Sequence, residues 1–406
     1  MSISDAVTIA AAESASTTAR PAVPAFNRRT IFLITAAHFF HDMYPAFLAP
    51  LIPLLTDKFA LSLFLAGFLQ PAQRLFSLSQ PVVGYYADRT SVRLFLVITP
   101  ITTALVTCSL GIAPNAMVVV LLLLASGLSS ALFHAPAIAT VAASAGRRSG
   151  LGMSIFMNGG DLGRSIGPIV VVFIINHFGL HGTALAFIPA LAIGIVTFFG
   201  LAPIRLRTTP RTRRDLFGAL RTQGPALRRL LSVIMVRGVV LNAFALFIVE
   251  YLKKRGDPLV YAGIATSVFF FAGVIGGFIG GTLSDHVGRK PIILVSLSLS
   301  APPLFLFTIL RGVPSIIALF VAGLLLLCTT PVTLAAMQEL MPHDRATGAG
   351  LAITAEYTVS ALATILVGLI ADHVGLPHVI QVLTLIPLLG IPLAILLPET
   401  REFETA

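Results

Sequence analysis

The sequence predicts an all-α membrane protein in which twelve transmembrane helices form two pseudo-symmetric six-helix bundles. Three observations point there. Of 406 residues, 56% are hydrophobic and only 11% are charged, whereas a soluble chain needs about 25% charged residues to cover its surface. The apolar residues fall in blocks of roughly twenty, enough at 1.5 Å per residue to cross a ~30 Å hydrocarbon layer. The two halves of the chain also match each other at a nearly constant offset.

Residues 1–29 are rich in Ala, Ser and Thr, end in Phe26-Asn27-Arg28-Arg29 and lack the apolar core of a secretory signal. They read as a disordered cytoplasmic tail. Twelve spans follow, near 30–55, 61–84, 93–112, 116–143, 150–176, 182–203, 229–252, 258–282, 290–310, 314–340, 348–371 and 377–397. Helices are expected over strands, because spanning strands alternate polar and apolar residues over ~10-residue segments and these runs do not. The first six spans make one bundle, 30–203, and the last six another, 229–400. Between them residues 204–228 form a basic linker with Arg205, Arg207, Arg211, Arg213, Arg214, Arg221 and Arg228. Residues 401–406 are a short tail.

The net charge of +10 would point to nucleic acid in a soluble protein. Here the basic residues occupy gaps between apolar runs, where they orient a membrane chain, and no nucleic-acid partner is expected. Nineteen of the 27 Lys and Arg fall on the side of the termini and linker, and five (Lys58, Lys253, Lys254, Arg255, Arg311) on the other. Both termini are therefore expected in the cytoplasm. Cys108 and Cys328 each lie in an apolar run and offer neither a disulfide framework nor a metal site. No metal and no cofactor are expected.

The internal match is specific. Gly84-Tyr85-Tyr86-Ala87-Asp88-Arg89 corresponds to Gly281-Thr282-Leu283-Ser284-Asp285-His286, and Asn176-His177-Phe178-Gly179-Leu180 to Asp372-His373-Val374-Gly375-Leu376. Ile188-Pro189 corresponds to Ile386-Pro387, and Arg148 to Arg345; all offsets lie between 196 and 198. Duplicated halves are a sign of a carrier that rocks about a central site.

Residues 84–93 and 281–290 each combine a glycine, an acid at a helix end and basic residues in a short cytoplasmic turn. This pattern resembles the loop signature of the major facilitator superfamily, Gly-x-x-x-Asp-Arg/Lys-x-Gly-x-Arg/Lys, with Ser91 and His286 as departures. The resemblance covers about 30–400 and implies the major facilitator fold, a monomer and a gate at these loops. The gate residues implied are Gly84, Asp88, Arg89 and Arg93 in the first copy, and Asp285, Gly288, Arg289 and Lys290 in the second. A carboxylate beside helix N-termini and guanidinium groups gains charge-assisted bonds that separate on opening; the alternative is that these charges only set topology.

In span five Gly163, Gly167 and Pro168 resemble the Gly-x-x-x-Gly-Pro stretch of exporters and proton antiporters in the superfamily. Glycines four apart admit a close helix neighbour, and the proline bends the helix. Gly273, Gly277 and Gly281 in span eight read as packing. A narrower resemblance, carried by His38-Phe39-Phe40-His41-Asp42-Met43, Phe133-His134-Ala135-Pro136 and Gln80-Pro81-Val82-Val83-Gly84-Tyr85, is to the fosmidomycin-resistance branch, which implies a proton-driven exporter in a bacterial inner membrane. That branch has polar residues where this chain continues Ala137-Ile138-Ala139.

Charges within the membrane carry the chemistry, since each costs at least ~2.5 kcal/mol at mid-depth. Asp42, Arg74 and Asp161 lie roughly 16–20 Å into their spans by rise per residue. Asp42 is the first candidate for carrying protons, with His38 on the same helix face and His41 adjacent; Asp161 and Glu356 are further candidates. The alternative for Asp42 is a permanently bonded acid joining spans one and five, and for Asp161 a structural pair with Arg164. Arg74, Arg164 and Arg237 cannot release protons and are candidates for holding substrate, together with His134 and Tyr44. Three intramembrane arginines hint at an anionic cargo such as a phosphonate-like or carboxylated compound; pairing with Asp42, Asp161 and Glu356 explains them equally well. Glu250 reads as a surface partner of Lys253 and Lys254.

No nucleophile–base set, phosphate loop or metal-ligand spacing is visible, so the chain is not expected to be an enzyme. The expected function is proton-coupled efflux of small organic compounds by alternating access. The alternatives are a proton-coupled importer of an organic anion and a receptor or scaffold without flux. Solute, protons and lipid are the expected partners.

Overall fold

The computed structural model describes residues 26–76, 92–201, 224–341 and 345–400. Among these it is helical throughout, with eleven segments long and apolar enough to cross a membrane. The first span is broken: α1 (Arg28–Met43) and α2 (Leu48–Phe59) are joined by a 3-10 turn at Pro45–Phe47. The second begins with α3 (Leu63–Gly67) and α4 (Leu69–Arg74). The first half continues with α5 (Val92–Cys108), α6 (Ala116–Ala145), α7 (Ser149–Phe178) and α8 (Phe187–Gly200).

The second half comprises α9 (Gly224–Lys254), α10 (Leu259–Val287), α11 (Arg289–Ile309), α12 (Gly312–Leu327), α13 (Thr329–Leu340), α14 (Arg345–Val374), α15 (Leu376–Leu383) and α16 (Gly390–Ile395). The expected gate residues Gly84, Asp88 and Arg89, most of the tail and of the linker, and the last six residues lie outside the described residues.

Two expected boundaries move outward. Residues 28–29 belong to α1, where the Asn27 side chain accepts a hydrogen bond from the Thr30 amide at 3.0 Å and caps the helix. Residues 224–228, expected in the linker, form the first turn of α9, where Pro225 suits a position whose N–H needs no partner.

The duplication seen in sequence has a spatial counterpart. Gly179 and Gly375 end α7 and α14 with φ of 68° and 87°, a region disfavoured for side-chain-bearing residues, and each lets the chain reverse at the same place in its half. The halves meet at α3–α4 against α14, at α7 against α10 and at α2 against α9; the first two are seams of close glycine contact. In the first, the Thr364 carbonyl occupies the space where Gly67 lacks a Cβ; in the second, the Val172 side chain and the Pro168 carbonyl do the same for Gly263.

Polar contacts between the halves gather toward one end. Both carboxylate oxygens of Asp372 accept from the backbone of the other half, at Leu63 and Phe64, each at 2.9 Å. Lys253 donates to Asp57 at 2.5 Å and to the Pro53 carbonyl at 3.1 Å. The Ile169 amide donates to Ser267 Oγ at 3.1 Å. Glu250 is not a surface residue: it is buried, its nearest cation is Lys254 at 4.0 Å, and Lys253 turns to the opposite half instead. This clamped end carries the junctions α2–α3 and α14–α15, on the side that the charge pattern predicts to be the outer one.

Within the first half, α7 lies directly on α1. The Phe39 carbonyl fills the space beside Gly163, the Met43 carbonyl that beside Gly167, and the His38 ring that beside Gly160. In α10 the closest backbone approaches, to Leu324 and Cys328, fall at Gly276 and Gly280 rather than at Gly273, Gly277 and Gly281. Adding one methyl at Gly163 is expected to push α7 off α1 and cost about 1–3 kcal/mol. Gly163→Ala should therefore lower the melting temperature of purified protein by several degrees. Gly350→Ala, where the new methyl meets nothing within 4 Å, should leave it unchanged or raised.

Candidate functional site

The close approach of α7 to α1 brings Asp42 against Arg164, whose Nη2 donates to Asp42 Oδ2 at 2.8 Å. Two imidazoles complete the cluster. His38, one turn earlier on α1, places Nε2 3.4 Å from Asp42 Oδ2, and His134 from α6 places Nε2 3.4 Å from Oδ1. The Asp42 side chain is 8% exposed, whereas Arg164 is 45% exposed. Arg164 also lies 3.4 Å from Asp161, which is 40% exposed, so it stands between a buried acid and an accessible one.

The backbone sets the protonation pattern of the two rings. His38 Nδ1 faces the Phe156 carbonyl at 2.8 Å and His134 Nδ1 faces the Ser130 carbonyl at 2.9 Å. A carbonyl only accepts, so each Nδ1 carries the hydrogen. Each Nε2 then points a lone pair at the Asp42 carboxylate unless a further proton sits between them. His38 Nε2 has no hydrogen-bond partner and is buried.

His41 does not join it. The ring is fully buried, stacked on Phe133 with centroids 4.3 Å apart, and its Nδ1 faces Thr103 Oγ1 at 3.3 Å. Its side chain leaves the helix about 100° from that of Asp42, toward α5 and α6; the expected His38–His41–Asp42 group is in fact His38–His134–Asp42. One ligand atom from each of these three lies within 4.8 Å of the others, a spacing that suits a metal ion as well. Arg164 on the same carboxylate places a fixed positive charge beside any such ion and opposes it.

A second cluster lies in the other half. Arg237, buried in α9, donates to Glu356 of α14 and to Thr330 of α13, both at 2.6 Å. Arg74 differs from the other two arginines. It donates to Asn242 Oδ1 of α9 across the seam at 2.6 Å and lies 5.2 Å from the centroid of the Tyr357 ring. It forms no ion pair with a carboxylate among the described residues.

Tyr44 is fully buried and donates to the Ala186 carbonyl at 2.8 Å, so it presents nothing to a cavity in this conformation. Arg93 stacks on Phe198 at 4.5 Å and bonds its carbonyl. Arg289 ties its half together: it bonds Asp285 and Ser284 at 2.6 Å and Glu339 at 2.7 Å. Its amide and that of Lys290 donate to the Glu399 carboxylate, which also occupies the space beside Gly288. These contacts stay within one half and do not cross to the other. Sequence reasoning missed Asn242, Tyr357 and Thr330. The readable signal for Asn242 was a lone amide among Val239, Val240 and Leu241 in an apolar span.

The sequence profile of the Major Facilitator Superfamily matches residues 32–265 and 256–405. The chain belongs to the major facilitator superfamily. It is similar to the fosmidomycin resistance protein of Escherichia coli (strain K12), 29% identical over 91% of this chain and 92% of that protein. It is also similar to the uncharacterized MFS-type transporter YfnC of Bacillus subtilis (strain 168), 26% identical over 92% and 94%. The fold is shared with a bacterial homolog of the human lysosomal transporter Spinster, in its inward-facing and unoccupied crystal structure (TM-score 0.77, 13% identity, 93% of this chain and 97% of that one). The occupied form matches equally, with TM-score 0.77. As a superfamily member the chain is a multi-pass membrane transporter and not an enzyme.

Removing one partner of the Arg237–Glu356 pair leaves a poorly solvated charge. Arg237→Met is expected to cost about 3 kcal/mol, read as a lowered melting temperature. Adding Glu356→Gln should recover more than half of the loss, and a simple sum of the two single effects would contradict a coupled pair.

Proposed function

We propose that the chain exports small organic compounds from a bacterial cell, driven by protons returning through the Asp42 cluster. The observation that carries this reading is the convergence of two Nε2 lone pairs and one guanidinium on a single buried carboxylate. Arg164 compensates Asp42 while the cluster is unprotonated; when Arg164 turns to Asp161, a proton shared with His38 or His134 replaces it. The charge near the midplane is then balanced in both states, which a carboxylate in hydrocarbon requires. The fosmidomycin resistance protein among its relatives supports efflux as the direction. The expected setting is the inner membrane with both termini cytoplasmic and the chain a monomer; the clamped end, if outer, supports reading this as an inward-facing state. In this reading Gly84, Asp88, Arg89 and Arg93 form a gate that closes the cytoplasmic end, with Asp285, Gly288, Arg289 and Lys290 as the second copy.

A second reading, symport of an organic anion with a proton, is favoured by Arg74. Among the described residues its charge has no carboxylate partner, and an anion moving with a proton crosses as a neutral pair. One measurement separates the two. Proteoliposomes are loaded with fosmidomycin and an entrapped pH dye, and the external drug is removed. Under antiport the drug leaves as protons enter and the lumen acidifies; under symport both leave and the lumen turns alkaline. Asp42→Asn should abolish the pH change while sparing drug exchange. Drug efflux from the unaltered protein with a constant lumen pH would refute proton coupling.

A further inference from the structure

Arg74 lines a cavity of about 260 Å³ in the seam between α4 and α14, walled by Gln70, Pro71 and Leu75 on one side and Tyr357, Ala361 and Leu362 on the other. Three features of this cavity leave binding capacity that the described residues do not use. The first is the Arg74 charge. Arg164 is engaged by two carboxylates and Arg237 by one, while the only side-chain oxygen bonded to Arg74 among the described residues is the neutral Asn242 Oδ1. The Asn242 amide is itself held by donating to the Gly238 carbonyl at 3.0 Å, so its oxygen is aimed at the guanidinium. One of five guanidinium donors is thereby used.

The second is Gln70, one helical turn before Arg74 and on the same face. It is 9% exposed, and its Oε1 has no hydrogen-bond partner. A buried amide oxygen left unpaired costs free energy, and no partner for it is found among the described residues. The third is Tyr357, whose ring steadies the guanidinium from one side and forms a flat wall to the cavity.

We propose that this seam is the cargo site, and that it takes a single-ring organic anion. This rests on the reading of the chain as a carrier of small organic solutes and holds for either direction of transport. Arg74 receives the oxyanion through its remaining N–H groups, a planar fork suited to carboxylate or phosphonate. Gln70 completes the hydrogen bonds of the head group. The ring of the cargo lies against Tyr357, with Pro71, Leu75, Ala361 and Leu362 around it. The volume falls just below the range of drug-sized pockets, which limits the body to about one ring. Since the walls come from opposite halves, the cargo sits where rocking opens and closes the seam.

The test is equilibrium binding of radiolabelled benzoate to the purified full chain in detergent, with unlabelled phenylphosphonate and benzamide as competitors. Benzoate should bind saturably and be displaced by phenylphosphonate. The uncharged isostere benzamide should fail to displace it at the same concentration. Arg74→Gln should weaken benzoate at least tenfold, and Arg74→Lys less, because the charge remains without the fork. Gln70→Leu and Tyr357→Leu should each weaken it several-fold, whereas Tyr357→Phe should bind nearly as the parent. Gel filtration and melting temperature report whether each variant is folded; should Arg74→Gln fail to fold, Gln70→Leu and Tyr357→Leu decide. Absence of saturable binding by the unaltered chain, equal competition by benzamide, or unchanged binding in folded Arg74→Gln or in both Leu variants would overturn the proposal. A constant lumen pH during fosmidomycin efflux would overturn proton coupling and leave this site standing, whereas absent benzoate binding would overturn this site and leave proton coupling standing.

Discussion

The contact on which the site depends is that between Asp42 and Arg164. A carboxylate buried in a membrane helix is tolerated only with a partner, and Arg164 reaches it because α7 lies against α1 with no side chains between them. Gly160, Gly163 and Gly167 remove the Cβ atoms that would hold the helices apart. Packing and electrostatics are therefore one device. The same closeness brings His38 beneath Gly160, stacked on Phe156 at 4.0 Å, which fixes the ring so that its Nε2 faces the acid. Van der Waals contact, with no hydrophobic drive between helices in lipid, sets the geometry in which a proton can be exchanged.

The clamp at the other functional level combines the Lys253–Asp57 ion pair with charge-to-backbone bonds. Asp372 spans the α3 N-terminus with two bonds to Leu63 and Phe64, where the exposed amides and the helix dipole favour a negative charge. Its counterpart in the repeat, Asn176, carries no charge. The duplicated halves are thus alike in helix packing, with glycines at both seams, and unlike in how firmly each seam is tied. A carrier built from two equal clamps would have no preferred resting state; one charged clamp provides it.

Much of this was legible in the sequence. The spans, the duplication and the glycine stripe follow from hydropathy and spacing, because lipid imposes helices of set length and close packing demands small residues. The i,i+4 pairing of His38 with Asp42 and the i,i+3 pairing of Asp161 with Arg164 follow from helix geometry alone. Helix ends were less legible: Arg28 and Arg228 marked where lipid stops, and the helices continue past that level into water. The partners of Asp42 from other helices were not legible, since periodicity says which face a residue occupies and nothing about which helix it meets. Hence His41, adjacent in sequence, stood in for His134, which comes from α6. Asn242 and Tyr357 were overlooked because they carry no formal charge, although a lone amide in an apolar span has the same need for a partner.

The Asp42 cluster lies wholly within the first half, on α1, α6 and α7, whereas the Arg74 cavity crosses between halves. In the proposed mechanism, protonation at one has to reach the other through an element common to both. Helix α7 has that position. It carries Arg164 at the cluster and, five residues on, Ile169, whose amide donates to Ser267 of the opposite half; the rise between them is about 7.5 Å. Pro168 lies between; it has no N–H to donate to the Arg164 carbonyl one turn earlier, and its ring crowds that carbonyl, which interrupts the ladder there. That loosening lets the Ile169 amide reach outward to α10. In the proposed cycle a shift of Arg164 between Asp42 and Asp161 would act on the same helix, one turn from Pro168, and would join the proposed proton site to the seam through a single lever.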